Sequence, residues 1–327
     1  MYLTGLIHRD ELFQMTLRWL ADRPEPDDGR RVTEIFCCEP LIAGPVARRF
    51  FFDLHNTVRP GPLNLRRLHL KDQLRDAIVD GCTDPSARAQ AVFEQYRSHP
   101  EEFFPGTPSD LLLATDAAGA LVGMIRVKRI RRIAEKASRR IADKLAGRIR
   151  NAARQLAEQR AREAGLPLDQ LHSSSATMSR EFAAAERIVS RSFRDGTLQL
   201  TRDEMRIDDV IGCKLIGTPE ELERIERAID RHPRARLVER EEHCGEYNAT
   251  NLLVELDLPP SEMLLARAAG IDWSFARWRG LEPERLREGF EAYLESGART
   301  FRAEVILTTF DELVESEFGR SMHEERI

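Results

Sequence analysis

Between Val127 and Ala164 the chain runs without a proline and with a single glycine, Gly147, in a composition dominated by Ala, Arg, Lys and Glu. Such a stretch has one stable regular form, a long helix. Proline would have removed a backbone donor from it, and its common residues lose little rotamer freedom in helical turns. Gly165-Leu166-Pro167 ends it by the glycine-then-proline rule. The helix is basic: up to residue 154, Lys128, Arg129, Arg131, Arg132, Lys136, Arg139, Arg140, Lys144, Arg148, Arg150 and Arg154 face only Glu135 and Asp143. Any fold for this chain must accommodate a rod of that length and charge.

On either side of the rod the pattern is mixed. Asp10–Ala21, Leu70–Asp80 and Ser86–Ser98 read as helices, the last announced by Thr83-Asp84-Pro85. Arg23–Arg30 and Pro105–Ser109 are rich in turn formers. Leu111–Thr115 and Leu121–Val127 flank Asp116-Ala117-Ala118-Gly119 and predict a β-hairpin. After the rod come a polar linker at Leu168–Ser175 and a second helix at Ser179–Arg191. Strands are then expected at Asp209–Ile216, Ala235–Glu242, Tyr247–Leu256 and Phe301–Thr309. Helices are expected from Thr218 to Ile229, over Pro259–Leu294 with a break near Gly280, and over Phe310–Glu325. Thr218 as N-cap and Glu221 three residues on form a capping-box signature. The expected class is α+β: a mixed β-sheet domain with a long basic helix over residues 126–327, preceded by a separate α/β module at 1–125.

Composition bounds the function. The 327 residues suffice for two domains of roughly 100–200 residues. The formal net charge of −5 argues against coating of nucleic acid by the whole chain and leaves room for a local basic site. Asp10 and Glu11 interrupt the N-terminal apolar residues, and no run approaches the roughly 18 apolar residues of a membrane span. The five cysteines lack CxxC spacing, so neither a zinc knuckle nor a disulfide framework is indicated. A cytoplasmic location, away from membranes, is the expectation.

Two acidic residues, Asp209 and Glu304, fall on predicted strands. Strand-edge carboxylates are usually just solvated. A converging pair can instead hold Mg²⁺, which prefers oxygen ligands and keeps waters and substrate phosphates in its shell. One carboxylate can also take the proton of an attacking hydroxyl, and the basic helix could balance a polyphosphate. Lys136 and Lys144 lie eight residues apart, close enough in phase to serve one ligand. The same helix could equally show a solvated basic face or track RNA phosphates.

The order of short motifs resembles the RelA/SpoT-type alarmone synthetases. Asp209-Val-Ile-Gly212-Cys-Lys214-Leu is similar to the family strand Asp-Ile-x-Gly-hydrophobic-Arg-hydrophobic. Glu246-Tyr247-Asn248-Ala249-Thr250-Asn251 stands where the family has Gly-Tyr-Arg-Ser-x-His. Glu304-Val-Ile-Leu-Thr308-Thr309 stands for Glu-Ile-Gln-Ile-Arg-Thr. Lys136, Ile141, Lys144 and Leu145 keep the spacing of the upstream lysine motifs, with Arg140 in place of the family serine. The resemblance covers roughly residues 126–327. It implies a nucleotidyltransferase-like fold that moves pyrophosphate from ATP to a nucleotide 3′-hydroxyl, with Asp209 on Mg²⁺ and Glu304 on the metal or acting as base. It further implies Lys136, Lys144 and Lys214 on phosphates, Arg140 beside them, and Tyr247 stacked on the acceptor base.

The departures fall on the acceptor side. Asn248 and Asn251 replace Arg and His, and Ile306 and Thr308 replace Gln and Arg. A catalytically degenerate relative that binds nucleotide, RNA or protein is therefore the rival reading, with a tRNA-modifying, toxin-like relative as a third. No His-Asp dipeptide occurs, so the alarmone hydrolase of bifunctional members is not expected in residues 1–125. Trp273, Phe275 and Trp278 are expected to pack an inserted helix, and His323 to sit at a surface helix end.

Overall fold

A computed structural model gives the fold. It describes the chain except for Thr83, Leu166, residues 168–174, Glu246, Tyr247 and residues 320–327. The expected linker at Leu168–Ser175 and His323 therefore lie largely or wholly outside the described residues. The chain forms two compact units: Met1–Leu3, His8–Val32 and Ile130–Ile207 in the first, and Thr4–Ile7, Thr33–Arg129 and Asp208–Ile327 in the second.

The first unit is helical. It holds α1 (Arg9–Leu20), the start of α2 (Asp28–Asn56), α5 (Ile130–Ala164) and α6 (Ser175–Arg194). Short strands β1 (Tyr2–Leu3) and β5 (Arg206–Ile207) pair in parallel. The rod predicted from composition is α5, 35 residues long. Its inward side chains recur every fourth residue. Ile141, Leu145 and Ile149 meet Phe13, Val189, Phe193, Leu200 and Met205. Further along, Ala153, Ala157 and Ala161 are buried with Ala185 of α6. Small side chains there let two helix backbones approach closely. Arg160 of α5 pairs with the buried Glu181 of α6. A carboxylate so buried is tolerable only with a cation against it.

The second unit is built on a seven-stranded mixed sheet of order β2-β3-β4-β6-β9-β8-β7. The strands are β2 (Asn64–Leu70), β3 (Pro108–Thr115), β4 (Leu121–Val127), β6 (Ile211–Ile216), β7 (Ala235–His243), β8 (Ala249–Asp257) and β9 (Thr300–Thr308). All neighbours are antiparallel except β6 and β9, which run parallel in the centre. The expected hairpin is β3–β4.

Helices α3 (Lys71–Asp80), α4 (Ala87–Ser98) and α10 (Phe310–Phe318) cover one face at the β2 side. They place Leu74, Ile78, Phe93, Tyr96, Leu313, Val314 and Phe318 against Leu111, Leu113, Met124 and Ile216. Arg75 is buried in this layer, donates to the carbonyls of Phe103 and Glu317, and lies beside the rings of Phe103 and Phe318. At Gly123 a Cβ would stand 2.2 Å from the Lys214 carbonyl oxygen and 2.8 Å from the Phe51 ring. Only glycine lets α2 seat Phe51 there. The unit is completed by α7 (Pro219–Asp230), α8 (Ser261–Ala268), a 3-10 turn at Trp273–Arg279 and α9 (Pro283–Ser296).

This arrangement corrects the division at residue 125. Strand β4 pairs with β6, Gly123 opposite Leu215 and Val127 opposite Ile211, so residues 64–127 share a sheet with the C-terminal strands. The reason is pairing: β4 and β6 each have a donor row that only a neighbouring strand can satisfy. Residues 1–125 are not a separate module. No helix among the described residues is long and apolar enough to cross a membrane.

Candidate functional site

The site begins with the parallel pairing of β6 and β9, which sets Gly212 opposite Glu304. A Cβ on residue 212 would stand 2.8 Å from the Glu304 carbonyl oxygen, so glycine permits this close approach. The same register row continues to Arg126 of β4 on one side and Leu253 of β8 on the other. Residues paired across a ladder share a sheet face. The exposed Arg126 and the half-buried Glu304 thus flank, in one register row, a residue with no side chain. Arg126 was not among the residues singled out from the sequence. Only the pairing of β4 with β6 reveals it.

The neighbouring row carries Met124, Lys214, Ile306 and Asn251 on that face. The Asn251 side-chain carbonyl oxygen is buried and has no hydrogen-bond partner among the described residues. Such an orphan acceptor is costly unless a donor reaches it. It sits one alternation along β8 from Leu253, the residue opposite Glu304.

Asp209 departs from expectation. It lies in the turn before β6, which begins at Ile211, and is not on a strand. The ladder closes through the Lys128 amide donating to the Val210 carbonyl at 2.8 Å, and the Lys128 ammonium pairs with the Asp209 carboxylate. Charge attraction across 81 residues of sequence thus fixes Asp209 at the mouth of β6. Beside it, Asp208 accepts from Thr4 at 2.8 Å and faces Arg302 at 3.8 Å. Arg302 also faces Glu255 at 3.7 Å, which binds Arg236 at 2.6 Å.

Lys214 contacts the helix that follows β9. It is 9% exposed beneath α10, donates to Ser316 Oγ at 3.1 Å and faces Glu317 at 3.4 Å. Behind it, burial and then the negative charge of Glu304 push the Cys213 thiol up to about 12, so it stays protonated. The five cysteines are free. Asn248 is held by α10: its amide and side chain donate to Glu312 at 2.7 and 2.9 Å.

Lys136, Arg140 and Lys144 lie on α5, in the first unit, whereas Asp209, Lys214 and Glu304 lie in the second. Lys136 is half-buried and Lys144 exposed. Arg140 donates to the carbonyl of Arg206. Tyr247 lies outside the described residues. Trp273 packs as expected, buried and edge-on to Phe290 at 5.3 Å. Trp278 does not: it is 92% exposed.

The donor chemistry at Asp209 and Glu304 fits Mg²⁺ in kind, two hard carboxylates of the sort that ion takes together with waters and phosphates. Among the described residues no group of three or more His, Cys, Asp or Glu gathers to hold a metal alone. The chain matches no protein-family model, and a search of curated proteins found no match either.

Proposed function

We propose that the second unit is a nucleotidyltransferase-like domain and the chain a divergent RelA/SpoT-like pyrophosphokinase, transferring pyrophosphate from ATP to a nucleotide 3′-hydroxyl. The observation that carries this reading is the parallel β6–β9 pair with Gly212 opposite Glu304 and Asp209 at its mouth. It supports the strand order the motifs imply. Asp209 and Glu304 would hold Mg²⁺, which when bound would neutralise charge on the phosphoryl oxygens.

In the reaction, Glu304, where Asp209 alone holds the metal, accepts the proton of the acceptor hydroxyl. The freed oxygen bonds to the β-phosphorus of ATP, the bond to the α-phosphate oxygen breaks, and AMP leaves with the electron pair. Arg126 supplies a cation on the same face, and Asn251 offers its oxygen to an acceptor N–H or O–H. Nucleotide chemistry of this kind, with free cysteines, belongs in the cytoplasm.

One observation favours the second reading, a relative that binds nucleotide without transfer: Lys214, a phosphate ligand by resemblance, is engaged by Ser316 and Glu317. Incubation with ATP labelled at the β-phosphate, Mg²⁺ and a panel of ribonucleotides decides between them. The proposal expects label on an acceptor and release of AMP from the wild type, and none from Glu304→Gln. Equal inertness of both proteins with every acceptor favours the binder.

A further inference from the structure

Charge is distributed unevenly along this chain. Residues 130–207 hold 17 Lys and Arg against 10 Asp and Glu, in a chain of net charge −5. The surplus is displayed on α5 and α6 rather than consumed in pairs. On α6 the buried positions are Glu181, Ala185, Val189 and Phe193, one every fourth residue. Arg180, Arg187, Arg191 and Arg194 take the opposite side, within about 60° of arc at 3.6 residues per turn.

All four are exposed. None of their guanidinium groups has an ion-pair or hydrogen-bond partner among the described residues. They cover about 21 Å of helix at 1.5 Å per residue. The acids of α6 stand off the stripe: Glu181 is buried against Arg160, and Glu186 lies about 100° away around the helix. Asp195 follows the helix end. On α5 a second stripe carries Arg139, Arg150 and Arg154 around a single acid, Asp143, all exposed.

Four like charges on one face repel one another, and an unpaired arginine row gains nothing for the helix itself. A phosphate backbone would reverse that sign and release its own counterions. We propose that the exposed face of the α5–α6 hairpin binds the backbone of duplex RNA.

Three features select this occupant. The stripe carries no aromatic side chain on which unstacked bases of a single strand would lie. It carries no row of Asn or Gln to read base edges, so binding is to shape and phosphate. Because α6 is packed on α5 along its other side, it offers a one-sided surface. That suits the wide, shallow minor groove of A-form RNA with its flanking phosphates, and does not suit insertion into the major groove of B-DNA, which takes a helix on several sides. The exposed apolar residues of α6, Phe182 and Ile188, fall outside the stripe, which argues against a lipid surface. This inference is independent of the nucleotide reading, since its residues all lie in the first unit.

The test uses the full chain and fluorescence anisotropy with an RNA duplex of about 20 base pairs, at roughly 50 to 200 mM salt. Wild type is expected to bind with a steep salt slope. The triple variant Arg180→Gln, Arg187→Gln, Arg191→Gln should lose at least about tenfold in affinity and lower the slope by about 2 to 3. A control with the same charge change on exposed residues of the second unit, Arg97→Gln, Arg285→Gln, Arg287→Gln, should change affinity less than about twofold. The corresponding Arg→Lys triple variant, which keeps charge and helix propensity, should stay within about threefold of wild type.

The proposal is overturned by any of four results. These are absence of RNA binding at the lowest salt, equal loss in the stripe and control variants, loss in the Arg→Lys variant as large as in the Gln variant, or binding of DNA duplex or anionic vesicles as tight as RNA.

Discussion

Lys214→Met separates a structural from a ligand-binding lysine. The change removes the ammonium and keeps a stem of similar length. In the native protein that ammonium reaches Ser316 Oγ at 3.1 Å and Glu317 at 3.4 Å, with the two charged side chains 11% and 18% exposed. A hydrogen bond to a charged group contributes about 1.5–3 kcal/mol. The released Glu317 carboxylate can recover some water, which trims the loss to about 1–2 kcal/mol. Urea unfolding of wild type, Lys214→Met, Glu317→Gln and the double variant closes a cycle. A coupling of about 1 kcal/mol is expected, with an ATP affinity unchanged by Lys214→Met. Coupling below about 0.3 kcal/mol together with weakened ATP binding would return Lys214 to the phosphates and refute its placement as an anchor for α10.

Gly212→Ala puts a methyl 2.8 Å from the Glu304 carbonyl oxygen, so the central strands must separate. It should lower the denaturant midpoint by the equivalent of about 1–3 kcal/mol, whereas Gly147→Ala, with nothing within 4 Å, should not. His55 is buried with both ring nitrogens unpartnered among the described residues. Burial first, then the Arg59 cation, hold it below its ordinary 6.5, against the weaker pull of Asp116 and Glu221. A histidine pKa depressed in the folded state means the unfolded chain binds the proton first. Its contribution is therefore intact above 6.5 and shrinks as pH falls below that value. Thermal melts of His55→Leu should show a shallower loss of stability than wild type between neutral pH and mild acid. A loss as steep as that of the wild type would assign the acid sensitivity to other groups.

The parts of the fold governed by local rules were legible in the sequence. The absence of proline gave α5, alternation gave β6 and β9, and the Thr218–Glu221 capping box formed as read, with the Thr218 amide donating to Glu221 at 2.9 Å. Helix α2 was not legible, because Pro40 and Pro45 lie inside it and each removes an intrahelical donor. Packing of Ile35, Ile42, Phe51 and Leu54, all buried, offsets that loss. Strand β2 hid behind Arg66, Arg67 and His69, since an edge strand tolerates a polar sequence.

At the site, Glu304 could be chosen from a strand pattern. Its surroundings depend on pairings between distant segments. Lys128 meets Asp209, and Arg126 shares a row with Gly212, only because the hairpin joins the C-terminal sheet. The same pairing removes the boundary at residue 125, which the motif order alone suggested.

The nucleotide site is tested most directly by calorimetric titration of a non-hydrolysable ATP analogue in the presence and absence of Mg²⁺. Wild type is compared with the double variant Asp209→Asn, Glu304→Gln. Mg²⁺-dependent binding is expected of wild type, with at least about a tenfold loss in the folded double variant, equivalent to about 1.4 kcal/mol. Absence of binding by wild type, or equal affinity in the two proteins, would contradict a nucleotide site at the head of β6 and β9.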